Sequence, residues 1–331
     1  MRKTLLIVMC AILCSLWVGA QVTTEPTPLQ EDSENVAIYF HADQGNKGLM
    51  GQPASQPVYA HTGVEVKNSA GTVTNWKYAP NWGDNAAKYQ LSYVSENLWK
   101  LEIGNIRTYY GVAADETVTR LCFVFRNANC TKEGKGDGNS DIFVNVVDGG
   151  FQLALTSNAA SSVIDADNAK ISFTAGTTEA ADIKLYVGTT EIGSATGAKT
   201  LTAEYTFPSE GNYTVKATAT RGGETLTETM QIVYAGASKP ATSAPAKAFG
   251  VTKQGDSYVF QIAAPLKESV MLVGSWNDYQ ADYNMTMEYV MDTAPDGTQY
   301  KRFVKTVPAS VTGKEFNYYY LVDRTIGVGE P

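Results

Sequence analysis

The sequence predicts an all-β fold of three tandem β-sandwich domains, and three observations carry that prediction. Short runs alternate apolar and polar residues, best seen in Asn97–Ile103, where Trp99, Leu101 and Ile103 share one face. Clusters of Gly, Asn, Asp and Pro separate these runs, and only Asn105–Tyr110 reads as a helical turn. Two changes of composition, at Phe151 and across the Pro/Ala/Ser stretch 237–248, then cut the chain into thirds.

Residues 1–20 read as a secretory signal peptide. Arg2 and Lys3 open it, Leu5–Val18 is apolar, and Val18-Gly19-Ala20 places cleavage before Gln21. The apolar run is shorter than the ~20 residues of a membrane span. Cys10 follows Val8-Met9 and Cys14 follows Ile12-Leu13, so neither has the small preceding residue of a lipidated cysteine. Secretion is the expectation, with no membrane insertion of the mature chain. Loss of Arg2 and Lys3 takes the net charge from −8 to −10. An acidic chain without a basic stripe excludes nucleic acid and anionic lipid as partners. Of four cysteines, Cys122 and Cys130 stay behind. They are expected to bridge a hairpin as a disulfide, but one pair is no scaffold, and the fold rests on apolar cores.

Residues 21–35 read as a flexible polar leader. The first sandwich spans 36–150, with strands expected at Val36–Phe40, Val58–His61, Leu98–Ile103, Thr119–Arg126 and Asp141–Val147. A second unit, 151–236, has alternating runs at Lys170–Thr174, Ile183–Val187, Leu201–Phe207, Tyr213–Thr220 and Thr227–Val233. Within it, Gly211-Asn212-Tyr213-Thr214-Val215 resembles the tyrosine corner of immunoglobulin-like domains, with Val215 where antibody domains carry cysteine. Rich in Thr, Ala and Gly and free of Trp and His, this unit reads as a spacer. Residues 237–248 read as an extended, semi-rigid linker. The third unit, 249–331, has strands expected at Tyr258–Ile262, Val270–Val273, Met285–Tyr289, Tyr300–Thr306 and Phe316–Val322. It stops without a closing strand, so the protein is expected to continue beyond Pro331.

The inventory for catalysis is thin. His41 and His61 are the only histidines, and no nucleophile elbow, Walker loop or dinucleotide fingerprint accompanies them. No catalytic residue, cofactor or metal ligand set is assigned. Asp137–Asp141 spaces oxygen ligands as a calcium loop does, but Ile142 stands at the sixth position, and a polar hairpin turn is the better reading. What the first unit does offer is aromatic residues in polar surroundings. A sugar ring stacks its C–H face on a flat side chain while its hydroxyls need polar neighbours. Thr74–Tyr78, with Trp76, and Ala79–Asn85, with Asn81 and Trp82, fit that need, and Tyr59 and His61 share a strand face. For Trp76 and Trp82 ligand platform and core packing stand equally open, whereas Trp99 belongs to the core by its alternation. Tyr59, His61, Trp76, Asn81 and Trp82 are the candidate site, with exposed aromatics near one another.

Val270-Met-Leu-Val-Gly-Ser-Trp-Asn-Asp278, Phe316-Asn-Tyr-Tyr-Tyr-Leu-Val-Asp323 and Ile326–Pro331 resemble the early-set domain, carbohydrate-binding module family 48, that precedes the barrel of glycoside hydrolase family 13 enzymes such as pullulanases. Arg324 and Glu330 depart from that pattern, where Gly and Asp are usual. Phe40–Leu49, Val58–Val64 with Trp76, Phe123–Ala128 and Lys132–Lys135 resemble the N-terminal module of exported starch-degrading enzymes of Gram-negative gut anaerobes. Tyr59-Ala60-His61 with Trp76 is more distantly similar to starch-binding module family 26. These resemblances imply an α-glucan partner (starch, glycogen, pullulan or maltooligosaccharides) and a catalytic (β/α)8 barrel C-terminal to this chain. They also imply a periplasmic, surface or secreted location in a Gram-negative bacterium. A stand-alone surface glucan-binding protein is the alternative reading. A purely adhesive protein is a third, and it leaves Trp76 and Trp82 unexplained.

Overall fold

The computed structural model describes residues 21–147, 149–159, 161–323 and 325–326, the last two by backbone alone. The expected signal peptide and residues 327–331 lie outside the described residues. The chain is nearly all β, as the alternation requires, and its buried apolar residues gather mainly in three cores, one for each third of the chain.

The first unit comprises β1 (Val22–Glu25), β2 (Val36–His41), β3 (Val58–Asn68), β4 (Val73–Lys77), β5 (Ser92–Ser95), β6 (Leu98–Gly104), α1 (Ile106–Tyr110), β7 (Glu116–Asn127), β8 (Glu133–Gly134) and β9 (Ile142–Asn145). One sheet runs β1-β2-β6-β5 and the other β4-β3-β7-β8, with β9 also on β7. Val36, Ile38 and Phe40 of β2 and Trp99, Leu101 and Ile103 of β6 face Val58, Ala60, Val64, Leu121, Phe123 and Phe125 across the sandwich. Trp99 is 1% exposed, as its alternation predicts. Each such large side chain contributes roughly 1.5–3 kcal/mol by leaving water. The one expected helical turn forms as α1. Asn105 caps it by accepting from Thr108 N at 3.0 Å, and Gly111 ends it at φ 72°.

Two expectations fail here. The leader is ordered: Val22–Glu25 pairs antiparallel with Ala37–Phe40, and Leu29 is buried in the core. Val22-Thr23-Thr24 are good strand formers, and they cover an edge of β2 that would otherwise stay open. Cys122 and Cys130 are free thiols. Cys122 sits mid-strand, five residues before the end of β7 at roughly 3.3 Å each, and Cys130 lies in the turn after it. That separation exceeds the ~7 Å between Cα atoms that a disulfide can span.

The second unit comprises β10 (Leu153–Ser157), β11 (Val163–Ile164), β12 (Lys170–Val187), β13 (Thr190–Thr206), β14 (Gly211–Arg221) and β15 (Glu224–Tyr234). Its order is β10-β12-β14-β15-β11, with β13 on β12. The first half of β12 pairs with β10 and the second half with β14. Register shifts between Gly176 and Ile183 mark irregularities between those halves, where strands bend and twist most readily. The core holds Phe173, Ile183, Leu185, Val215 and Ile232. Tyr213 Oη donates to Ser209 O at 2.7 Å, which is the hydrogen bond a tyrosine corner makes.

The third unit comprises β16 (Gly250–Gln254), β17 (Ser257–Ala263), β18 (Val270–Gly274), β19 (Glu288–Thr293), β20 (Gln299–Pro308), α2 (Ala309–Thr312), β21 (Tyr318–Val322) and β22 (Thr325–Ile326). Sheets β16-β17-β20-β19 and β18-β21-β22 enclose Phe260, Leu272, Met287 and Phe303. The strand expected at Met285–Tyr289 starts only at Glu288, because Asp282 caps a 3-10 turn at Tyr283–Met285 by accepting from Asn284 N.

The connection 237–248 is extended but docked. Ala241 N donates to Tyr289 O at 2.8 Å, Tyr289 N donates to Lys239 O at 2.9 Å, and Ser238 is buried. Val163, Val233 and Ala235 pack against Met271 of the third unit, with Tyr283 and Leu321 alongside. Glu210 accepts from Tyr283 Oη at 3.0 Å and Asn212 Nδ2 donates to Asp282 at 2.7 Å, so this junction is closed by apolar and polar contacts alike.

Candidate functional site

Alternation along β3 sends Val58, Ala60 and Val64 into the core and Tyr59, His61, Gly63 and Glu65 outward. Along β7 the outward set is Arg120, Cys122, Val124 and Arg126. Antiparallel register sets Tyr59 opposite Arg126 and His61 opposite Val124.

The chain leaving β4 crosses this outer face. Trp76 and Tyr78 adopt left-handed backbone at φ 56° and 61°, unusual for bulky residues, and this turns the strand onto the sheet. Gly63 allows the crossing, since a Cβ there would lie 2.9 Å from Lys77 O. Arg126 holds the far end of the loop and is 1% exposed. It donates through Nη1 to Asn85 Oδ1 at 2.8 Å and to Asn127 O, and through Nη2 to Asp84 O. Its guanidinium lies over the rings of Tyr59 and Trp82, at 5.3 and 6.0 Å from their centroids.

Three of the expected aromatics come together here. His61 stacks on Trp76 at 5.3 Å and 24°, and meets Trp82 edge-on at 4.9 Å and 67°. Trp82 is 48% exposed and Trp76 is half-buried, with its Nε1 donating to Asp141 Oδ2 at 3.2 Å. Asp141 also faces Lys135 Nζ at 3.5 Å. Burial, and secondly the Arg126 charge, push the His61 pKa down against the opposing pull of Asp141. The ring is neutral at pH 7, and its buried Nδ1 has no hydrogen-bond partner. Asn81 is exposed in the same loop. Tyr59 does not join the exposed set. It is 8% exposed, under Arg126, with its hydroxyl 3.4 Å from Gln90 Oε1.

Arg126, Asn85 and Asp141 are the residues that sequence reasoning missed. Arg126 was detectable in part, because it falls out of phase with Phe123 and Phe125 at the end of an apolar strand. Asp137–Asn139 forms a 3-10 turn between β8 and β9. Among the described residues no cluster of three or more His, Cys, Asp or Glu is placed to hold a metal. No described helix is long and apolar enough to cross a membrane. The face therefore presents one exposed indole on a pinned loop, with amide, carboxylate and ammonium groups at its margin. Such a surface can take a ligand with a flat apolar side and a hydroxylated edge.

No family model matches the chain, and no curated protein does. Among solved structures it is similar to the BSP domain of a biofilm-associated protein, at 11% identity and a TM-score of 0.30, over 66% of this chain and 29% of that one. It is similar to fibronectin(III)-like modules of Clostridium thermocellum CbhA, at 16% identity and a TM-score of 0.20, over 64% of this chain and 93% of that one. A pullulanase from Bacillus acidopullulyticus matches at 11% identity and a TM-score of 0.17, over 90% of this chain and 33% of its own. The chain thus spans about a third of that pullulanase and less of the biofilm protein. At these scores the likenesses carry no argument about this chain.

Proposed function

We propose that the first unit binds a neutral α-glucan chain, and that the described chain is the non-catalytic, N-terminal part of a secreted glycoside hydrolase of family 13. The observation that carries the binding is Trp82. Its half-exposed indole offers a flat apolar face in a polar loop, and here a buried arginine over the ring and an edge-on histidine hold it in place. Trp76 contributes its free edge, while Asn81, Asp141 and Lys135 supply hydrogen bonds to hydroxyls. His61 is a support rather than a contact, since its ring is taken up by both tryptophans. Tyr59 supports Arg126 in the same way.

The third unit carries the sequence resemblance to family 48 modules, and the barrel belonging to that resemblance would lie beyond Pro331. A stand-alone surface glucan-binding protein uses the same platform and differs only in the chain after residue 331, so the reading frame past that codon separates the two. Affinity electrophoresis in starch gels tests the binding itself. The native chain is expected to be retarded. Trp82→Ala is expected to lose most of that retardation, because a single stacking partner in a shallow site carries much of the energy. Trp76→Ala is expected to lose less. Equal mobility of the native chain in gels with and without starch rejects the proposal.

A further inference from the structure

The leader does more than close the edge of β2. Val22–Glu25 pairs with β2 and Leu29 is buried in the first core, so both ends of the short loop 26–28 are anchored in the first unit. Thr24 Oγ1 donates to Pro26 O at 2.9 Å and Thr27 Oγ1 donates to Thr24 O at 2.5 Å, which braces the loop from within. Its tip lies against the second unit. A Cβ on Gly176 of β12 would stand 2.1 Å from Thr27 O and 2.9 Å from the carbonyl carbon, far inside contact distance. Gly176 has no left-handed φ that would call for glycine. A glycine inside a strand costs about 0.5–1 kcal/mol against alanine, and close approach of a second backbone is the feature that requires one here.

The ties continue beside that contact. Val147 N donates to Leu29 O at 2.8 Å, and Gln30 forms an isolated parallel bridge with Val147. Gly150 O accepts from Thr178 Oγ1 of β12 at 2.7 Å and from Gln30 Nε2 at 3.4 Å. Thr178 Oγ1 in turn accepts from Gln152 N at 3.0 Å. Leader, connection and β12 therefore meet at one place. We infer that residues 26–30 form a clasp, tied to the connection at Gly150, that fixes the first unit on the second so that the two move as one body. Domains joined by a short, unbraced connection move against each other by default. The second and third units are closed on each other around Met271, so the clasp holds the face carrying Trp82 at a set bearing to the rest of the chain. The inference stands apart from what that face binds.

Small-angle X-ray scattering of the full chain is the test, with Gly176→Ala, Thr178→Val and the control Gly149→Ala. Alanine fits extended backbone, so Gly176→Ala acts through its collision with Thr27 O. A Cβ on Gly149 meets nothing within 4 Å. The native chain and Gly149→Ala are expected to share one radius of gyration and to fit a single arrangement of the units. Gly176→Ala is expected to show a larger radius and a longer maximum dimension, with far- and near-UV circular dichroism unchanged. Should it fail to fold, Thr178→Val decides by the same expansion, since it keeps the shape of the side chain and cuts both of its bonds to the connection. A native profile that needs several arrangements, or a folded Gly176→Ala that superimposes on the native profile, overturns the clasp. Equal expansion by Gly149→Ala overturns it too, because the effect would then lie in the connection alone.

Discussion

The first and second units are built on the same principle and differ in what covers the outer face of a sheet. On the first, the end of β4 with Trp76 and the loop after it with Trp82 lie across β3 and β7, admitted by Gly63 and pinned by buried Arg126. On the second, exposed positions are filled by hydroxyl ladders such as Thr174–Thr202 and Thr220–Thr225, which pair with one another and leave no platform. A β-sandwich becomes a candidate binding module through the few residues that let a loop settle on its sheet. The core has no part in the distinction.

The largest expected effect comes from breaking that arrangement. Arg126→Ala removes the hydrogen bonds to Asn85 and Asp84 of the loop and to Asn127 O, and leaves the Asp84 carbonyl without its donor. A loss of about 2–4 kcal/mol is expected in urea unfolding of the first unit, together with loss of retardation in starch gels. A variant as stable as the native chain would show that the loop holds itself and that the contrast with the second unit is drawn in the wrong place. In the second unit the corresponding anchor is small. Tyr213→Phe deletes the 2.7 Å bond to Ser209 O and the longer 3.3 Å contact with Ser209 Oγ on a partly exposed ring, and about 1 kcal/mol is expected by the same measurement. An equal cost for the two substitutions would erase the distinction between pinned loop and plain corner.

The smallest effect is one of pH. His41 and His61 both have pKa values lowered chiefly by burial, and both belong to the first unit. Folded, they stay neutral where the unfolded chain takes up protons. Stability of the first unit therefore falls as pH drops below about 6.5, and stops falling once the folded-state pKa values are passed. The second unit has no histidine, and burial raises the Glu228 pKa, so acidification toward that pKa favours its fold. Melting followed between pH 7 and 5 should lower the first transition and spare the second. His61→Asn should flatten part of that slope.

Trp99, Tyr213 and α1 were legible because each rests on local information: alternation, a short motif, an N-cap. Trp82 was legible only in part, because its sequence surroundings leave platform and core packing equally open and its exposure is decided by the fold. Tyr59 was misjudged because its burial depends on Arg126, 67 positions later, and a strand pattern does not disclose its partner's register. The ordered leader was hidden by polarity, since an edge strand satisfies its backbone without needing an apolar face. The cysteine pair failed for the opposite reason. Nearness in sequence is not nearness in space there, because five of the eight steps between them run along extended strand.

The closed junction between the second and third units has a mechanical consequence. With Met271 seated against Val163, Val233 and Ala235, and Asn212 and Glu210 bonded to Asp282 and Tyr283, bending at residue 237 would tear an interface rather than swing a hinge. The two units form a mast, not a tether. Anything carried past its far end would sit at a set bearing from the middle sheet, and thermal motion would explore a narrow cone instead of a sphere.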